Sequence, residues 1–140
     1  DVTAEQQAML AADIIVWQFP FHWYGLPALL KKWLDEVFTH GFAYGLNAKL
    51  SGKKLIVSFT TGSSAQDYAE GHAMNYPLAA FIPAFRQTAL LCGMRFDEPV
   101  VSNGMMYVPG VNSESDLANV RAKARDHAVR LIRQIEDLPE

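Results

Sequence analysis

The chain contains 140 residues, of which half are hydrophobic and 19% are charged. This length and composition predict a single domain over residues 1–140 and exclude a disordered chain or a coiled coil. The net charge is −3, and the basic residues are scattered or lie on predicted helices, which argues against nucleic acid as a partner.

The cysteine and histidine content argues against a disulfide and against a metal site. Cys92 is the single cysteine, so we expect no internal disulfide and a reducing, cytoplasmic compartment, with Cys92 as a core residue. We expect no secretory signal, and residues 11–30 are too interrupted by polar residues and prolines to predict a membrane span. The four histidines lack metal-ligand spacing, so no metal site is expected.

The first half of the chain predicts helix, strand and helix. Thr3 and Gln6 match a capping box for a short helix that ends near Ala12. Residues 14–19, IIVWQF, form a continuous apolar run, which is typical of a strand covered on both faces. Pro27 is suited to the first position of a second helix, which Gly41 ends.

The second half continues the alternation. Residues 54–59, KLIVSF, predict a second strand, and residues 78–92 predict a helix whose first turn Pro83 disturbs. A third strand is expected over residues 98–103, and Ser113 is expected to cap a long final helix. Alternating helices and strands predict an α/β fold with a parallel sheet and helices on both faces.

The strand count leads to a further expectation. The run at residues 14–19 is the most uniformly apolar, so its strand should be central, yet three strands leave it without a second neighbour. We therefore expect one or more strands to be missing at the N-terminal end, or to come from another chain. The sequence also begins with Asp1 rather than with Met.

Two segments follow the first two predicted strands and should meet at one edge of the sheet, where ligands bind in such folds. Residues 19–27 hold four aromatic rings and His22, and residues 60–64, TTGSS, form a hydroxyl-rich turn. Together they could form a flat slot for a planar heterocycle such as a flavin ring. Equally, the aromatic residues could be ordinary core and the TTGSS segment an ordinary turn.

Residues 17–38, WQFPFHWYGLPALLKKWLDEVF, followed by GFAYG at 41–45, closely resemble the flavodoxin-like NAD(P)H:quinone oxidoreductases. That family includes the DT-diaphorase-like enzymes and the bacterial ancillary quinone reductases of potassium-efflux systems. The resemblance continues through Thr60, Thr61 and Gly62 to residues 91–94, LCGM. It implies a flavodoxin-like three-layer α/β sandwich whose first strands and phosphate-binding loop have no counterpart in this sequence.

The resemblance also implies which residues form the site. The flavin-binding positions are Pro20, Phe21, His22, Trp23, Tyr24, Thr60, Thr61, Gly62 and Ser63. The family often has Gly at the position of Ser63, which implies a somewhat altered loop. Tyr68 and His72 match the catalytic positions beside the flavin, although their spacing is two residues shorter than in relatives, so His72 is either catalytic or a solvated loop residue.

The activity implied by the resemblance is hydride transfer from NAD(P)H, through a flavin, to a quinone. Either FMN or FAD would serve as the cofactor, and a homodimer is expected because the family completes its flavin pocket across the subunit interface. Two alternatives remain. The chain is a regulatory subunit that binds a potassium-efflux transporter in the membrane, or it is a flavin-free remnant kept for assembly.

Overall fold

The computed structural model describes residues 1–137 of the chain. Its helices and strands alternate as the sequence predicts. They are α1 (Val2–Ala11), β1 (Ile14–Pro20), α2 (Ala28–Val37), β2 (Lys54–Thr60), α3 (Pro83–Leu91), β3 (Arg95–Phe96), β4 (Val100–Ser102) and α4 (Glu114–Glu136). Two short 3₁₀ segments, Ala65–Asp67 and Leu78–Phe81, lie between β2 and α3.

The four strands form one parallel sheet. β1 and β2 pair along their whole length, with Ile14 opposite Lys54 and Pro20 opposite Thr60. On its other side, β2 pairs with β3 at its beginning and with β4 at its end. The third strand, predicted over residues 98–103, corresponds to the shorter β4. β3 was missed because two residues are too few to show a period.

β2 is the most buried strand, whereas β1 was expected to be central. Every residue of β2 except Thr60 is buried, while Gln18 and Pro20 of β1 are exposed. Within residues 1–137, β1 pairs with β2 alone, so its second edge is open. The second neighbour that its apolar sequence indicates stays a prediction.

Helices cover both faces of the sheet, as predicted. Because successive strand residues point to opposite faces, Val57 and Phe59 pack into a large core that includes Val37 of α2 and Phe85 of α3. Ile56 points the other way and packs with residues of β4 and α4 in a smaller core. The sheet therefore lies between two helical layers.

The helix termini correct two expectations. The carboxylate of Asp1 caps α1 by accepting the N–H of Thr3 at 2.9 Å, so the predicted capping box at Thr3 and Gln6 is wrong. Pro27 precedes α2 as its N-cap instead of occupying its first turn. By contrast, Ser113 caps α4 as predicted, in a capping box with Asp116.

α3 begins later than the sequence indicates. Pro83 lies in its first turn, where a missing N–H costs nothing, and a separate 3₁₀ segment occupies the first part of the predicted helix. Among the helices of residues 1–137, none is long and apolar enough to cross a membrane. The same residues bring together no group of three or more potential metal ligands.

Candidate functional site

The loops that follow β1 and β2 lie side by side, as the sequence predicts. The N–H of Phe21, the first residue after β1, donates to the carbonyl oxygen of Thr60 at 2.8 Å. The ring of Phe21 stacks on that of Phe59 with centroids 4.8 Å apart. Full parallel pairing of β1 and β2 ends both strands at the same level, which places the two loops at one edge of the sheet.

The loop after β1 makes a tight turn that contains two aromatic residues with different environments. Gly25 N–H donates to the carbonyl oxygen of His22 at 3.0 Å. Trp23 and Tyr24 have φ values of 48° and 65°, a left-handed conformation that is uncommon for bulky residues and clusters at functional sites. Trp23 is 94% exposed, whereas Tyr24 stacks on Phe81 at 5.4 Å.

The loop after β2 is held from behind by the loop after β4. Thr61 is buried, and its N–H donates to the carbonyl oxygen of Ser102 at 2.9 Å. The N–H of Gly104 donates to the carbonyl oxygen of Ser63 at 2.8 Å, and the N–H of Met105 donates to that of Thr61. Because these bonds use the inner side of the loop, its outer side remains open.

Four backbone donors at the two loops have no protein partner. Within residues 1–137, the N–H groups of Trp23, Tyr24, Gly62 and Ser63 donate to no protein acceptor. They lie on the two adjacent loops, beside the aromatic ring of Phe21. A flat molecule with hydrogen-bond acceptors along its edge fits this donor set.

Ser63 is the position at which the sequence resemblance implied an altered loop. Its φ is not among the positive values found in the chain, so the loop requires no glycine there. Gly62 is closely approached instead, because a Cβ atom at this position would lie 2.9 Å from Cε of Met106. Met106 is an exposed, flexible side chain that can move.

Tyr68 contacts Phe81, which also stacks on Tyr24 of the first loop, whereas His72 lies in an exposed bend. The ring of Tyr68 packs edge-on against that of Phe81, with the ring centroids 6.0 Å apart. Burial raises the pKa of Tyr68 above its ordinary value, although the nearby hydroxyl of Thr61 opposes this rise. Within residues 1–137, no side-chain hydrogen bond or ring contact joins His72 to Tyr68.

The site has polar neighbours that sequence reasoning missed. Oγ1 of Thr61 lies 2.7 Å from Oδ1 of Asn103, and the ammonium group of Lys123 donates to the carbonyl oxygen of Asn103 at 3.2 Å. The position of Asn103 at the end of the third predicted strand was the signal available, since this strand ends at the same edge as the other two.

A buried histidine lies behind the site on α4. Nε2 of His127 lies 2.7 Å from Oγ of Ser58, and its Nδ1 lies 2.8 Å from Oγ of Ser102. Arg130 also donates to Oγ of Ser102 at 2.7 Å. Burial lowers the pKa of His127, and the positive charge of Arg130 lowers it further against the opposing effect of Asp126.

The sequence profile of the flavodoxin-like fold family matches residues 1–128. The chain belongs to this family. The resemblance and fold class inferred from the sequence are thereby confirmed. The parallel sheet between helical layers is the architecture of this flavodoxin-like protein, and its two loops lie at the strand ends where such folds bind ligands.

Two curated bacterial proteins are similar in sequence to this flavodoxin-like chain. An uncharacterized NAD(P)H oxidoreductase of Bacillus subtilis, YrkL, is 39% identical over 91% of this chain and 71% of its own length. The glutathione-regulated potassium-efflux system ancillary protein KefF of Klebsiella aerogenes is 38% identical over 94% of this chain and 70% of its own. The chain thus spans about 70% of each relative.

Two solved structures are similar to this flavodoxin-like fold. General stress protein 14 of Treponema denticola, in complex with FMN, has a TM-score of 0.81 and 35% identity over 95% of this chain and 72% of that chain. An NADPH-quinone reductase of P. pentosaceus has a TM-score of 0.72 and 28% identity over 88% of this chain and 71% of that chain. The names of these relatives support the assignment of the chain as an oxidoreductase.

Proposed function

We propose that the chain binds the ring of a flavin and acts as an NAD(P)H:quinone oxidoreductase. The observation that carries this proposal is a set of four backbone N–H groups on two adjacent, partly aromatic loops that donate to no protein acceptor within residues 1–137. An isoalloxazine ring offers a row of carbonyl oxygens and ring nitrogens that accept hydrogen bonds, and a flat face that stacks on aromatic side chains.

FMN is the flavin we propose first, because a structural relative with 35% identity contains FMN. FAD is the alternative. The ring-binding residues would be those of the first loop, Pro20, Phe21, His22, Trp23 and Tyr24, and those of the second, Thr60, Thr61, Gly62 and Ser63. The backbone of the two loops would bind the acceptor edge, and the exposed ring of Trp23 would cover part of one face.

A bound flavin would supply the hydride chemistry between NAD(P)H and a quinone. The chain itself would orient the substrates and supply polar groups. Tyr68 is the proposed catalytic residue, because its phenol is protonated at neutral pH and can donate a hydrogen bond to a quinone oxygen, and because its ring packs against Phe81 beside the first loop. His72 is a second candidate, although its exposed turn would have to move towards the site.

The test begins with binding and then measures turnover. The purified chain is titrated with FMN, FAD and riboflavin, followed by flavin fluorescence, and is then assayed for NADH- or NADPH-dependent reduction of menadione. We expect FMN binding and ping-pong kinetics. Gly62→Val should weaken binding, because a branched side chain beside the N–H groups of Gly62 and Ser63 would hinder the approach of a flavin, while the exposed α4 variant Val129→Ala should not. A chain that binds no flavin would contradict the proposal and favour the flavin-free alternative.

We also propose that the active form is a homodimer. Trp23 and Leu29 are 94% and 80% exposed, and both follow β1 within eight residues of each other in sequence, so a second subunit would cover apolar surface near the site. Sedimentation velocity of the chain, with and without FMN, tests this proposal. A monomer in both states contradicts it.

A second candidate role is favoured by the similarity to KefF, which is named as an ancillary protein of a potassium-efflux system. In this role the chain would bind a membrane transporter, and the redox site would act as a sensor. Affinity purification of the tagged chain from membranes tests it. Recovery of a potassium-efflux transporter supports the role, and its absence from a preparation that retains flavin activity contradicts it.

A further inference from the structure

The stretch of chain that carries Tyr68 is not tied to the sheet by its backbone. We call residues 65–81 the Tyr68 segment. None of its residues is buried. Within residues 1–137, the backbone hydrogen bonds of this segment join it only to residues from Ser64 to Ile82. The position of Tyr68 relative to the two loops of the site therefore depends on side-chain contacts.

The end of the Tyr68 segment is fixed by the core, and Phe81 lies at this end. Ile82, the next residue, is buried in the main core, and Leu78 packs against the same core. The chain then continues into α3, which begins at Pro83. The core thus holds the backbone that carries Phe81, whereas Tyr68 lies earlier in the exposed part of the segment.

The ring of Phe81 contacts four other aromatic rings. It stacks on Tyr24, with centroids 5.4 Å apart and 22° between the ring planes. Tyr68 meets it at 6.0 Å and 83°, and Phe21 meets it at 6.0 Å and 82°. The ring of Tyr76 lies 6.2 Å away. These distances and angles are the ones that aromatic pairs prefer, so a single ring connects the loop after β1 to the Tyr68 segment.

Tyr68 depends on Phe81 more than Tyr24 does. Within residues 1–137, the ring of Tyr68 contacts that of Phe81 and no other aromatic ring. Tyr24 has two further contacts, because its ring also lies 6.3 Å from that of Phe21 and its hydroxyl donates to Sδ of Met74 at 3.5 Å. Loss of the ring of Phe81 should therefore release Tyr68 first.

We propose that Phe81 is a positioning residue, whose ring holds the ring of Tyr68 beside the loop after β1 and so fixes where the phenol hydroxyl lies. A side chain locked by packing keeps a catalytic group in one geometry, which a loop alone does less well. The catalytic meaning of this inference rests on the proposed quinone reductase activity. The ring contact itself does not, because it lies within the chain and involves no cofactor.

The first measurement tests the ring contact in the flavin-free chain. The chain is labelled in its tyrosine rings, and Tyr68→Phe identifies the NMR signal of Tyr68 among those of the five tyrosines. Because an aromatic ring shifts the signals of nuclei close to it, Phe81→Leu should move the signal of Tyr68 towards that of a free tyrosine. Phe81→Tyr keeps a ring at this position and should leave the signal near its original value.

The second measurement tests the consequence for turnover. At saturating FMN, Phe81→Leu should lower the rate of menadione reduction by about tenfold, because a displaced catalytic group loses much of its effect. Phe81→Tyr should restore the rate. Tyr76→Leu is the matched control, since it removes an exposed ring that contacts Phe81 in a pair to which Tyr68 does not belong, and it should leave the rate unchanged.

A double variant separates positioning from a general loss of structure. Tyr68→Phe already removes the hydroxyl, so adding Phe81→Leu to it should lower turnover by less than about twofold further. If Phe81 only stabilised the fold, the two losses would multiply. Far-UV circular dichroism shows whether each variant is folded, and Phe81→Met, which fills more of the space, takes the place of Phe81→Leu if the latter unfolds.

The outcomes separate this inference from the proposed function. An unmoved signal of Tyr68 in folded Phe81→Leu would overturn the positioning role, and so would a loss of turnover in Tyr76→Leu as large as in Phe81→Leu. Losses that multiply in the double variant would overturn it as well. An unmodified chain that reduces no menadione would contradict the proposed function, while the NMR signals would still decide whether Phe81 holds Tyr68.

Discussion

Oγ of Ser58 and Nε2 of His127 lie 2.7 Å apart and connect the centre of β2 to the buried face of α4. The other ring nitrogen of His127 contacts Ser102 of β4, so one imidazole joins a helix to two neighbouring strands. β4 leads directly into the loop that supports Thr61. The same histidine thus couples the helical layer to the site and makes the fold sensitive to protonation.

The first prediction is that stability falls between pH 7.5 and pH 5.5. The pKa of His127 is lowered in the folded chain, so the unfolded chain binds the proton more readily and gains it first as the pH falls. The stabilisation is therefore present above the ordinary histidine pKa and is lost below it. Urea denaturation at several pH values measures the effect. His127→Gln should flatten the pH dependence, whereas the exposed His72→Gln should retain it; an equal slope in His127→Gln would contradict this explanation.

The second prediction concerns the aromatic support of the site. Phe59 is 1% exposed and stacks on both Phe19 and Phe21. Phe59→Ala should lower the free energy of unfolding by about 3–5 kcal/mol, because it removes a large buried ring and leaves a cavity. Val129→Ala, at an exposed position of α4, should change it by less than about 0.5 kcal/mol. Denaturation midpoints of the two variants measure the difference, and equal midpoints would show that the stack contributes little.

The third prediction separates binding from stability at Trp23. Because this side chain is 94% exposed, Trp23→Ala should change the free energy of unfolding by less than about 0.5 kcal/mol. Loss of one face of the flavin slot should nevertheless weaken FMN binding by about tenfold, which corresponds to an aromatic contact of about 1.4 kcal/mol. Val129→Ala, an exposed apolar position on α4, serves as control. Unchanged FMN affinity in Trp23→Ala would remove Trp23 from the proposed site.

The fourth prediction concerns the catalytic assignment. Tyr68→Phe keeps the ring packed against Phe81 but removes the hydroxyl, so quinone turnover should fall by about 10²-fold while FMN affinity stays within about twofold. Steady-state kinetics with menadione and a flavin titration give the two quantities. His72→Gln is measured in parallel, because a comparable loss there would show that its turn closes on the substrate. Unchanged turnover in Tyr68→Phe would remove the role of Tyr68.

The sequence by itself indicated the helices, every strand except β3, and the two loops of the site. Apolar runs and helical periodicity are local patterns, and parallel strands place their carboxyl ends at one edge of the sheet. These rules are sufficient to predict that the loops containing Pro20 and Thr60 lie side by side. The cap of α1 was predicted wrongly, because Asp1 and Thr3 both suit an N-cap and only one can begin the helix.

The tertiary structure alone decided the burial of the strands and the hydrogen bonds behind the site. β2 is covered on both faces and paired on both sides. The sequences of β1 and β2 are both apolar runs, so the sequence could not show which of the two strands is the more buried. Asn103, His127 and Thr61 are far apart in the chain, and their contacts arise only when β4 and α4 pack against β2. A sequence pattern records which residues share a face. Which polar atoms meet across that face depends on distances of a few tenths of an ångström, which only packing sets.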